Sequence, residues 1–259
     1  SHYHRDHMGL VYGLSPEMPV YMGTAAFRMV KASDSYKAVP SISLAGFLDN
    51  GVAIHIGDMV VTPFLCDHSA FDSYMLLVEA GGETVLYTGD FRANGRKSFQ
   101  RLIRQLPVHV DVLICEGTTL SRPGARLETE TELEDKATAL FASTEGPVFV
   151  LQSSMNVDRI VTMTRAAKKT NRVILQDLYM AEVASAAGAS IPNPRSFHDV
   201  KIFLTRPYPK EHKRYQLFGT YGASRIGRAQ IAGERFVLFV RTSMLVWLRM
   251  LSKQMSFAN

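Results

Sequence analysis

The histidine-rich stretch at residues 2–7, with the pattern H-x-H-x-D-H, constrains the fold of this chain more than any other feature. In an extended segment successive side chains alternate between two faces, so His2, His4 and Asp6 are predicted to converge on one side. His7 points elsewhere unless the chain turns there. Two imidazoles, then a carboxylate and an imidazole at a turn, suit two metal ions held close together. A chance cluster or a tag remnant is the alternative, but a tag is a plain run of histidines, so the pattern predicts a metal site.

Two later motifs follow predicted strands, where a rigid scaffold presents side chains to a site. The sequence C-D-H-S at 66–69 follows the apolar run 60–65, and T-G-D at 88–90 follows another predicted strand. Either motif alone is more often a turn. Because they follow the histidine pattern in this order, His68 and Asp90 are predicted to be metal ligands.

The composition is that of an ordinary globular protein. Of its 259 residues, 46% are hydrophobic and 20% charged, so the chain can bury a sizeable core. It has no run of about 18 apolar residues, so no membrane-spanning helix and no membrane partner are expected. Its polar first residues do not resemble a signal peptide. Two cysteines outside any C-x-x-C pair favour a reduced, cytoplasmic setting.

The positive charge is concentrated in the last part of the chain. Residues 201–259 carry a net charge of +9 and the remaining residues a net charge of −4, which gives the total of +5. A basic part beside a metal-binding acidic part fits a polyanionic substrate such as nucleic acid. Solvated lysines and arginines on helix surfaces would give the same count, so this interpretation stays one of two.

Two rhythms of secondary structure indicate two kinds of sheet. Apolar or alternating runs between residues 52 and 87, separated by glycine turns, predict successive antiparallel strands, and 110–115 is predicted to be a buried strand. From about Thr129, helices and strands alternate at even spacing, which is typical of a parallel, doubly wound sheet. A polar stretch separates the predicted strands 200–204 and 235–240. The domain boundary is predicted within residues 122–129.

These motifs together resemble a known family. H-x-H-x-D-H, a lone histidine after a strand and T-G-D after a hairpin follow the ligand order of the metallo-β-lactamase fold. The sequences Y-T-G-D-F-R at 87–92, E-G-T-T at 116–119 and S-S-M-N-V-D-R at 153–159 resemble the β-CASP family, which includes ribonuclease J-like and mRNA 3′-end endonuclease-like nucleases. The resemblance implies an α/β fold: a partial metallo-β-lactamase αββα sandwich at residues 1–122, then an incomplete, Rossmann-like (parallel α/β) β-CASP cap at 123–259.

The resemblance also implies roles for individual residues. His2, His4 and His68 would bind one Zn²⁺, Asp6 and His7 a second, and Asp90 would bridge both. Asp6 would orient the bridging water or accept its proton. Glu116 would orient a ligand histidine or that water, so that Asp6, Asp90 and Glu116 form the catalytic set. The family holds two Zn²⁺ ions, one of which is expected here at the least, and Mn²⁺ suits the same ligands.

The implied function is a metal-dependent hydrolase that cleaves RNA phosphodiester bonds with a dinuclear zinc site and an activated bridging water. RNA or another single-stranded nucleic acid would be the partner. The sequence leaves open whether the chain also forms a homo-oligomer. Ser153, Ser154 and the first amides of the helix at Asn156 would bind a phosphate, or Ser154 is simply a helix N-cap. Three arginines are candidate contacts to the phosphate backbone, or else solvated surface: Arg159, Arg225 and Arg228.

The chain departs from the family pattern at both ends. The family has strands before the histidine pattern and further histidines after the cap, whereas only His198 and His212 occur in the last 150 residues here. We therefore expect a chain truncated at both ends, with one metal position intact, a weak second one, and low or no nuclease activity. Two alternative functions are a small-molecule metallo-β-lactamase-fold hydrolase acting on thioesters or lactams, and a non-catalytic RNA-binding scaffold.

Overall fold

A computed structural model describes residues 1–15, 17–40, 42–118, 120–121, 124 and 126–255. The chain divides into two compact units, Ser1–Thr129 and Glu130–Asn259. The predicted domain boundary falls on Arg122 and Pro123, which lie outside the described residues, as does Thr119 of the E-G-T-T motif. Each unit has its own sheet, and each is described by itself.

The first unit joins short helices to two sheets. Its elements in chain order are α1 (Arg5–Met8), a 3₁₀ helix (Gly9–Gly13), β1 (Tyr21–Gly23), α2 (Thr24–Lys37), β2 (Gly46–Leu48), β3 (Ile54–Ile56), β4 (Met59–Cys66), β5 (Ser73–Ala80), β6 (Glu83–Tyr87), α3 (Phe99–Ile103) and β7 (Val112–Ile114). Strands β1 and β2 pair in parallel, and β3 to β7 form a five-stranded sheet in chain order. In that sheet β3 to β6 are antiparallel, as predicted, and β7 runs parallel to β6.

One face of the five-stranded sheet is buried because apolar residues alternate along its strands. Phe64 lies opposite Met75 in the register of β4 and β5, and Leu77 lies opposite Leu86 in that of β5 and β6. Leu102 of α3 packs against this face. The core thus lies beneath the middle strands, whose ends carry His68 and Asp90.

The strand predicted at 110–115 exists, but the prediction that it is buried was wrong. The strand exists as β7, but Val112, Leu113 and Ile114 are 48%, 58% and 50% exposed. The reason is its place in the sheet, since β7 is the last strand and pairs only with β6. An apolar run indicates a strand but does not reveal whether that strand lies in the middle of a sheet or at its edge.

The second unit is a parallel α/β structure. Its elements are α4 (Glu130–Ser143), β8 (Val148–Leu151), α5 (Val157–Lys169), β9 (Val173–Asp177), α6 (Leu178–Ala187), β10 (Val200–Phe203), α7 (Lys213–Gly219), a 3₁₀ helix (Gly222–Ser224), α8 (Arg228–Ile231), β11 (Phe236–Val240), a 3₁₀ helix (Thr242–Met244) and α9 (Leu245–Leu251). The strands are all parallel and lie in the order β10-β9-β11-β8. The predicted α/β class, with a parallel sheet after residue 129, is confirmed.

Of the two middle strands of the parallel sheet, β11 is apolar throughout, as expected of a strand covered on both faces, whereas β9 ends in the buried polar residues Gln176 and Asp177. All five residues of β11 are buried. Leu238 and Phe236 pack in one cluster with Phe203, Trp247 and neighbouring apolar side chains. Helix α9 thereby holds its strand neighbours from one side. Among the described residues, no helix is both long and apolar enough to cross a membrane.

Arg172 is a buried charge that ties together the amino-terminal ends of the parallel strands. Its guanidinium group donates to the carbonyl oxygens of Phe141 (3.1 Å), Gly146 (2.8 Å) and Phe236 (3.4 Å), and to that of Thr144. These contacts satisfy carbonyls at the end of α4, in the following turn and in β11. Removing the side chain would take a donor from each carbonyl, and this is costly at the buried residues Phe141 and Phe236.

We expect Arg172→Met to lower the free energy of unfolding by about 3 kcal/mol, because the carbonyls of the buried residues Phe141 and Phe236 lose a donor at once. Urea denaturation followed by circular dichroism measures the change. Arg235→Met is the matched control, since Arg235 is exposed and its guanidinium also donates to Thr144, at 3.2 Å. Equal stability losses in the two variants would contradict the role assigned to Arg172.

Candidate metal centre

The histidine stretch is extended only as far as His4, where the chain turns into α1. His4 has the extended angles φ −65° and ψ 147°, and its carbonyl accepts from the backbone amides of His7 (3.0 Å) and Met8 (2.9 Å). The turn brings the His7 side chain back towards Asp90 and directs Asp6 outwards. The predicted convergence of Asp6 with His2 and His4 therefore does not occur.

A first group of possible ligand atoms comes from His2, His4 and His68. One ring nitrogen or more of each lies within 4.8 Å of the others. His68 Nε2 and His4 Nδ1 are 3.2 Å apart. His68 follows the end of β4, so the sheet and the histidine stretch meet here. These are the three histidines that the resemblance assigns to one ion.

A second group consists of His2, His7 and Asp90, again with ligand atoms within 4.8 Å of one another. Asp90 Oδ2 lies 3.0 Å from His7 Nε2 and 3.8 Å from His2 Nε2. The carboxylate therefore lies between two imidazoles, and His2 belongs to both groups. Histidine and carboxylate are the ligands of catalytic zinc sites, so the donor types fit a divalent ion.

The imidazoles are held in the uncharged state that binds metals. Burial, followed by the neighbouring histidines, lowers the pKa of His2 to about 2. Burial and the nearby His4 lower the pKa of His68 to about 4, and burial also lowers the pKa of His4. His2 Nε2 is buried and has no hydrogen-bond partner among the described residues. A buried nitrogen without a partner, in the midst of other ligand atoms, fits a site that takes up a cation.

Asp6 lies outside both groups. Its side chain is 78% exposed, and its carboxylate comes no nearer to the centre than 3.8 Å from His7 Nε2.

Glu116 contacts the loop that carries Asp90. One carboxylate oxygen accepts from the backbone amide of Phe91 at 2.7 Å, and the other accepts from the Thr118 hydroxyl. The amide of Glu116 in turn donates to Thr88 Oγ1 at 3.3 Å. The described hydrogen bonds of Glu116 are thus to the segment beside Asp90, to Thr88 and to Thr118, and none of them is to a histidine.

Asp67 is a buried residue whose role the sequence did not reveal. Its Oδ2 accepts from Arg92 Nε at 3.1 Å and from the Gly95 amide at 2.7 Å, while its carbonyl accepts from the Arg92 amide at 2.8 Å. A Cβ at position 95 would approach the Asp67 carboxylate to 2.1 Å, so glycine is required there. Asp67 thereby fastens the loop after Asp90 to the strand end that presents His68. Its place beside a predicted ligand was the only signal in the sequence.

The glycine of T-G-D is required by its conformation and by its neighbour. Gly89 has φ +53°, and a Cβ there would lie 2.6 Å from Ser1 Cβ. The carbonyl of Ser1 accepts from the Tyr74 amide at 3.0 Å. The histidine stretch therefore packs directly on the loop that carries Asp90 and on the start of β5.

A cavity of about 190 Å³ adjoins the centre within the first unit; its lining includes His2, His7, Tyr21, Asp72 and Tyr87. Asp72 is a second residue whose role was not foreseen. Its Oδ2 accepts from the first amides of α2, those of Ala25 (2.8 Å) and Ala26 (3.0 Å), and its Oδ1 accepts from Tyr74 Oη at 2.7 Å. It therefore fixes α2 beside the cavity.

The predicted phosphate-binding residues lie in the second unit. Ser154 is buried and accepts from Arg241 Nη1 at 2.5 Å, whereas Ser153 is exposed and accepts from the Met155 amide at 3.2 Å. The N-cap of α5 is Asn156, whose side chain accepts from the Arg159 amide at 3.2 Å. The alternative in which Ser154 caps this helix was therefore wrong.

The three predicted arginines are distributed over the second unit. The Arg159 guanidinium lies 3.4 Å from Glu130 Oε1. Arg225 is exposed and its Nε donates to the Gly222 carbonyl at 2.9 Å. Arg228 has a buried Nε without a hydrogen-bond partner among the described residues. No described hydrogen bond or ion pair joins Arg225 or Arg228 to the two serines.

The amino-acid sequence of the chain is similar to those of proteins named ribonuclease J. It is 26% identical over 245 residues to ribonuclease J of Sinorhizobium meliloti, a match covering 90% of this chain and 43% of that protein. It is 23% identical over 183 residues to ribonuclease J of Helicobacter pylori, covering 67% of this chain and 26% of that protein. The chain thus spans less than half the length of these relatives. No family model matches the sequence.

A solved structure shares the fold over nearly the whole chain. It is the crystal structure of a protein of unknown function from Enterococcus faecalis V583, with a TM-score of 0.73 and 17% sequence identity. The match covers 98% of this chain and 66% of that one. At this identity the likeness is evidence of fold alone.

We expect His68→Ala to lower zinc affinity by more than about 100-fold, beyond the loss typical of residues that only support a ligand. Asp6→Asn should lower it by less than about 10-fold, because Asp6 is directed to solvent. Competition with a chromophoric chelator measures both. His55→Ala is the control, since His55 is exposed on β3. If Asp6→Asn cost as much as Asp90→Asn, the outward orientation of Asp6 would be refuted.

Without metal, the chain should lose stability as the pH falls from about 6.5 to about 4. The lowered pKa values of His2, His4 and His68 mean that the unfolded chain binds more protons than the folded one in this window, so acidification favours unfolding. Urea midpoints in EDTA at several pH values measure the slope. His68→Gln should flatten it, and a wild-type midpoint that rises on acidification would contradict the assignment.

Proposed function

We propose that the chain is a ribonuclease J-like protein of the metallo-β-lactamase fold with a β-CASP domain, and that it is a metal-dependent hydrolase that cleaves RNA phosphodiester bonds. The observation that carries the proposal is His2 Nε2, which is buried where the two ligand groups meet and has no hydrogen-bond partner in the described part of the chain. The similarity to ribonuclease J over 90% of the chain supports RNA as the substrate.

We infer that two zinc ions are the physiological cofactor. His2, His4 and His68 would hold one, and His7 the other, with Asp90 between them; Mn²⁺ is the second candidate because the same donors accept it. When bound, such a pair supplies positive charge for a phosphate oxygen and lowers the pKa of a bridging water towards neutrality. Zinc rather than manganese is favoured by the number of imidazole ligands.

The protein's own residues position the reaction. Asp67 and Glu116 fix the two loops that present His68 and Asp90, so these side chains need not reorganise during the reaction. Asp6 lies at the exposed side of the centre, 3.8 Å from His7 Nε2, and would accept a proton at its carboxylate from the attacking water and release it to solvent. Water attack forms a new P–O bond, the bond to the departing oxygen breaks, and that oxygen takes a proton.

The second unit would bind the RNA backbone. Ser153 is exposed at the start of α5, where helix amides are suited to a phosphate. Arg225 is exposed in the segment that follows α7. Ser154, Arg159 and Arg228 are less accessible and would contribute by supporting these groups. The free thiols of Cys66 and Cys115 accord with a cytoplasmic setting, which stays part of the proposal.

Two other functions make different predictions from the same site. A hydrolase of thioesters or lactams needs the metal centre but not the basic second unit. An RNA-binding scaffold needs the second unit but not the ligand groups. The lowered pKa values of His2 and His68 favour a metal-binding centre over a scaffold. So does His2 Nε2, which has no hydrogen-bond partner among the described residues.

We expect a 5′-labelled RNA to be cleaved only slowly in the presence of Zn²⁺ or Mn²⁺, as a weak second metal position implies, and EDTA or Asp90→Ala to abolish the cleavage because the ligand groups are then empty or incomplete. Denaturing gel electrophoresis measures product, and a chromogenic thioester is assayed in parallel. His55→Ala is again the control. Thioester turnover without RNA turnover would favour the small-molecule hydrolase. RNA binding with no metal-dependent cleavage would favour the scaffold.

A further inference from the structure

The segment after β10 concentrates positive charge on a part of the second unit that the proposed metal chemistry does not use. From Lys201 to Arg228 the sequence has seven lysines and arginines and a single acid, Glu211. Such a density attracts polyanions whatever their sequence. Charge alone does not distinguish a binding site from a solvated surface, so the argument depends on geometry.

Arg206, Tyr208, His212 and Arg214 form a compact group, here called the arginine–tyrosine cluster. Arg206 Nε donates to Tyr208 Oη at 2.8 Å, and Arg214 Nη1 donates to the same oxygen at 2.9 Å. Two guanidinium groups are thereby brought to one point. A phosphate placed beside both guanidinium groups would accept charge-assisted hydrogen bonds from each of them.

The cluster also presents an aromatic surface. The His212 ring lies 4.5 Å from the Tyr208 ring, measured between centroids, with 33° between the planes. His212 Nδ1 accepts from the Arg214 amide at 3.1 Å, which makes His212 the N-cap of α7 and fixes its ring. Arg206 and Arg214 lie 5.3 and 5.7 Å from the Tyr208 centroid. His212 is exposed, so the ring is accessible to a planar ligand.

Fixed cations beside an exposed, fixed ring suit a ligand that alternates phosphates with planar bases. An acidic peptide would satisfy the arginines but would leave the ring unused. A duplex would offer phosphates but keep its bases stacked inside. An unpaired nucleotide satisfies both halves of the cluster at once.

We propose that the arginine–tyrosine cluster is a binding site for single-stranded RNA, additional to the metal centre. A backbone phosphate binds between Arg206 and Arg214, with the Tyr208 hydroxyl donating its proton to a phosphate oxygen. An unpaired base stacks on His212. The inference deepens the proposed function and rests on RNA being the substrate.

The test is binding of a fluorescein-labelled 12-nucleotide oligoadenosine, followed by fluorescence anisotropy in EDTA so that no cleavage occurs. Arg206→Gln/Arg214→Gln should raise Kd at least about 10-fold and reduce the slope of log K against log salt by about one to two phosphate contacts. His212→Asn keeps a capping side chain and removes the ring. It should raise Kd about 10-fold with the salt slope unchanged, because stacking contributes independently of salt.

The matched control is Arg165→Gln/Lys168→Gln on α5, which removes the same charge from exposed positions of the same unit. Its Kd should stay within about 2-fold of wild type, and thermal unfolding by circular dichroism checks that all variants are folded. A loss in the control equal to that in the arginine pair overturns the proposal, as does an RNA duplex that loses as much affinity in His212→Asn as the single strand does. Displacement of the RNA by polyglutamate at equal charge concentration overturns it in favour of an acidic protein partner.

Failure of this inference and failure of the proposed function give different results. If the cluster variants bind oligoadenosine like wild type while metal-dependent cleavage persists, only the cluster is refuted. If binding depends on the cluster but no cleavage occurs with any metal, the cluster stands and the hydrolase proposal fails.

Discussion

The centre is organised around one constraint, the burial of His2 among imidazoles that carry no charge. Its Nε2 has no hydrogen-bond partner among the described residues, and leaving a buried polar atom unsatisfied costs about 1–3 kcal/mol. The fold bears this cost because other groups hold the site in shape: Asp67 and Glu116 fasten the loops of His68 and Asp90, and Gly89 lets the histidine stretch lie against them. A cation bound to His2 Nε2 would give this nitrogen a partner, and the free energy thereby recovered would add to the affinity for the cation.

Five of the six predicted ligands lie in the two groups of possible ligand atoms, whereas the residues that support these groups were not predicted. The order of the histidine pattern, His68 and Asp90 is visible because each follows a strand signal or a fixed spacing. The direction of Asp6 depended on whether the chain turns at His4, which is set by two backbone hydrogen bonds and not by side-chain type. Asp67 and Asp72 act through amides distant in the sequence, so their roles emerge only when the chain is folded.

The fold was predicted where hydrophobic periodicity is strong and missed where it is weak. The alternation of helix and strand after residue 129 gave the parallel sheet, because fully buried strands such as β11 are apolar throughout. Helices α7 and α8 lie in a stretch that was predicted only to be polar. Both helices are short, and α7 has no buried residue. It therefore has no apolar face from which a helix could be predicted.

At the carboxyl edge of the parallel sheet, Arg241 binds Asp177 through both guanidinium nitrogens, at 2.9 and 2.5 Å, and also donates to Ser154. Asp177 at the same time caps α6 by accepting from the Met180 amide at 3.1 Å. The Asp177 carboxylate thus contacts a helix start and a neighbouring strand end, and Arg241 extends these contacts to Ser154 in the turn before α5. A replacement at 154, 177 or 241 is therefore tolerated only with a compensating change at another of them. These three positions form a single unit of sequence variation and should covary among homologues.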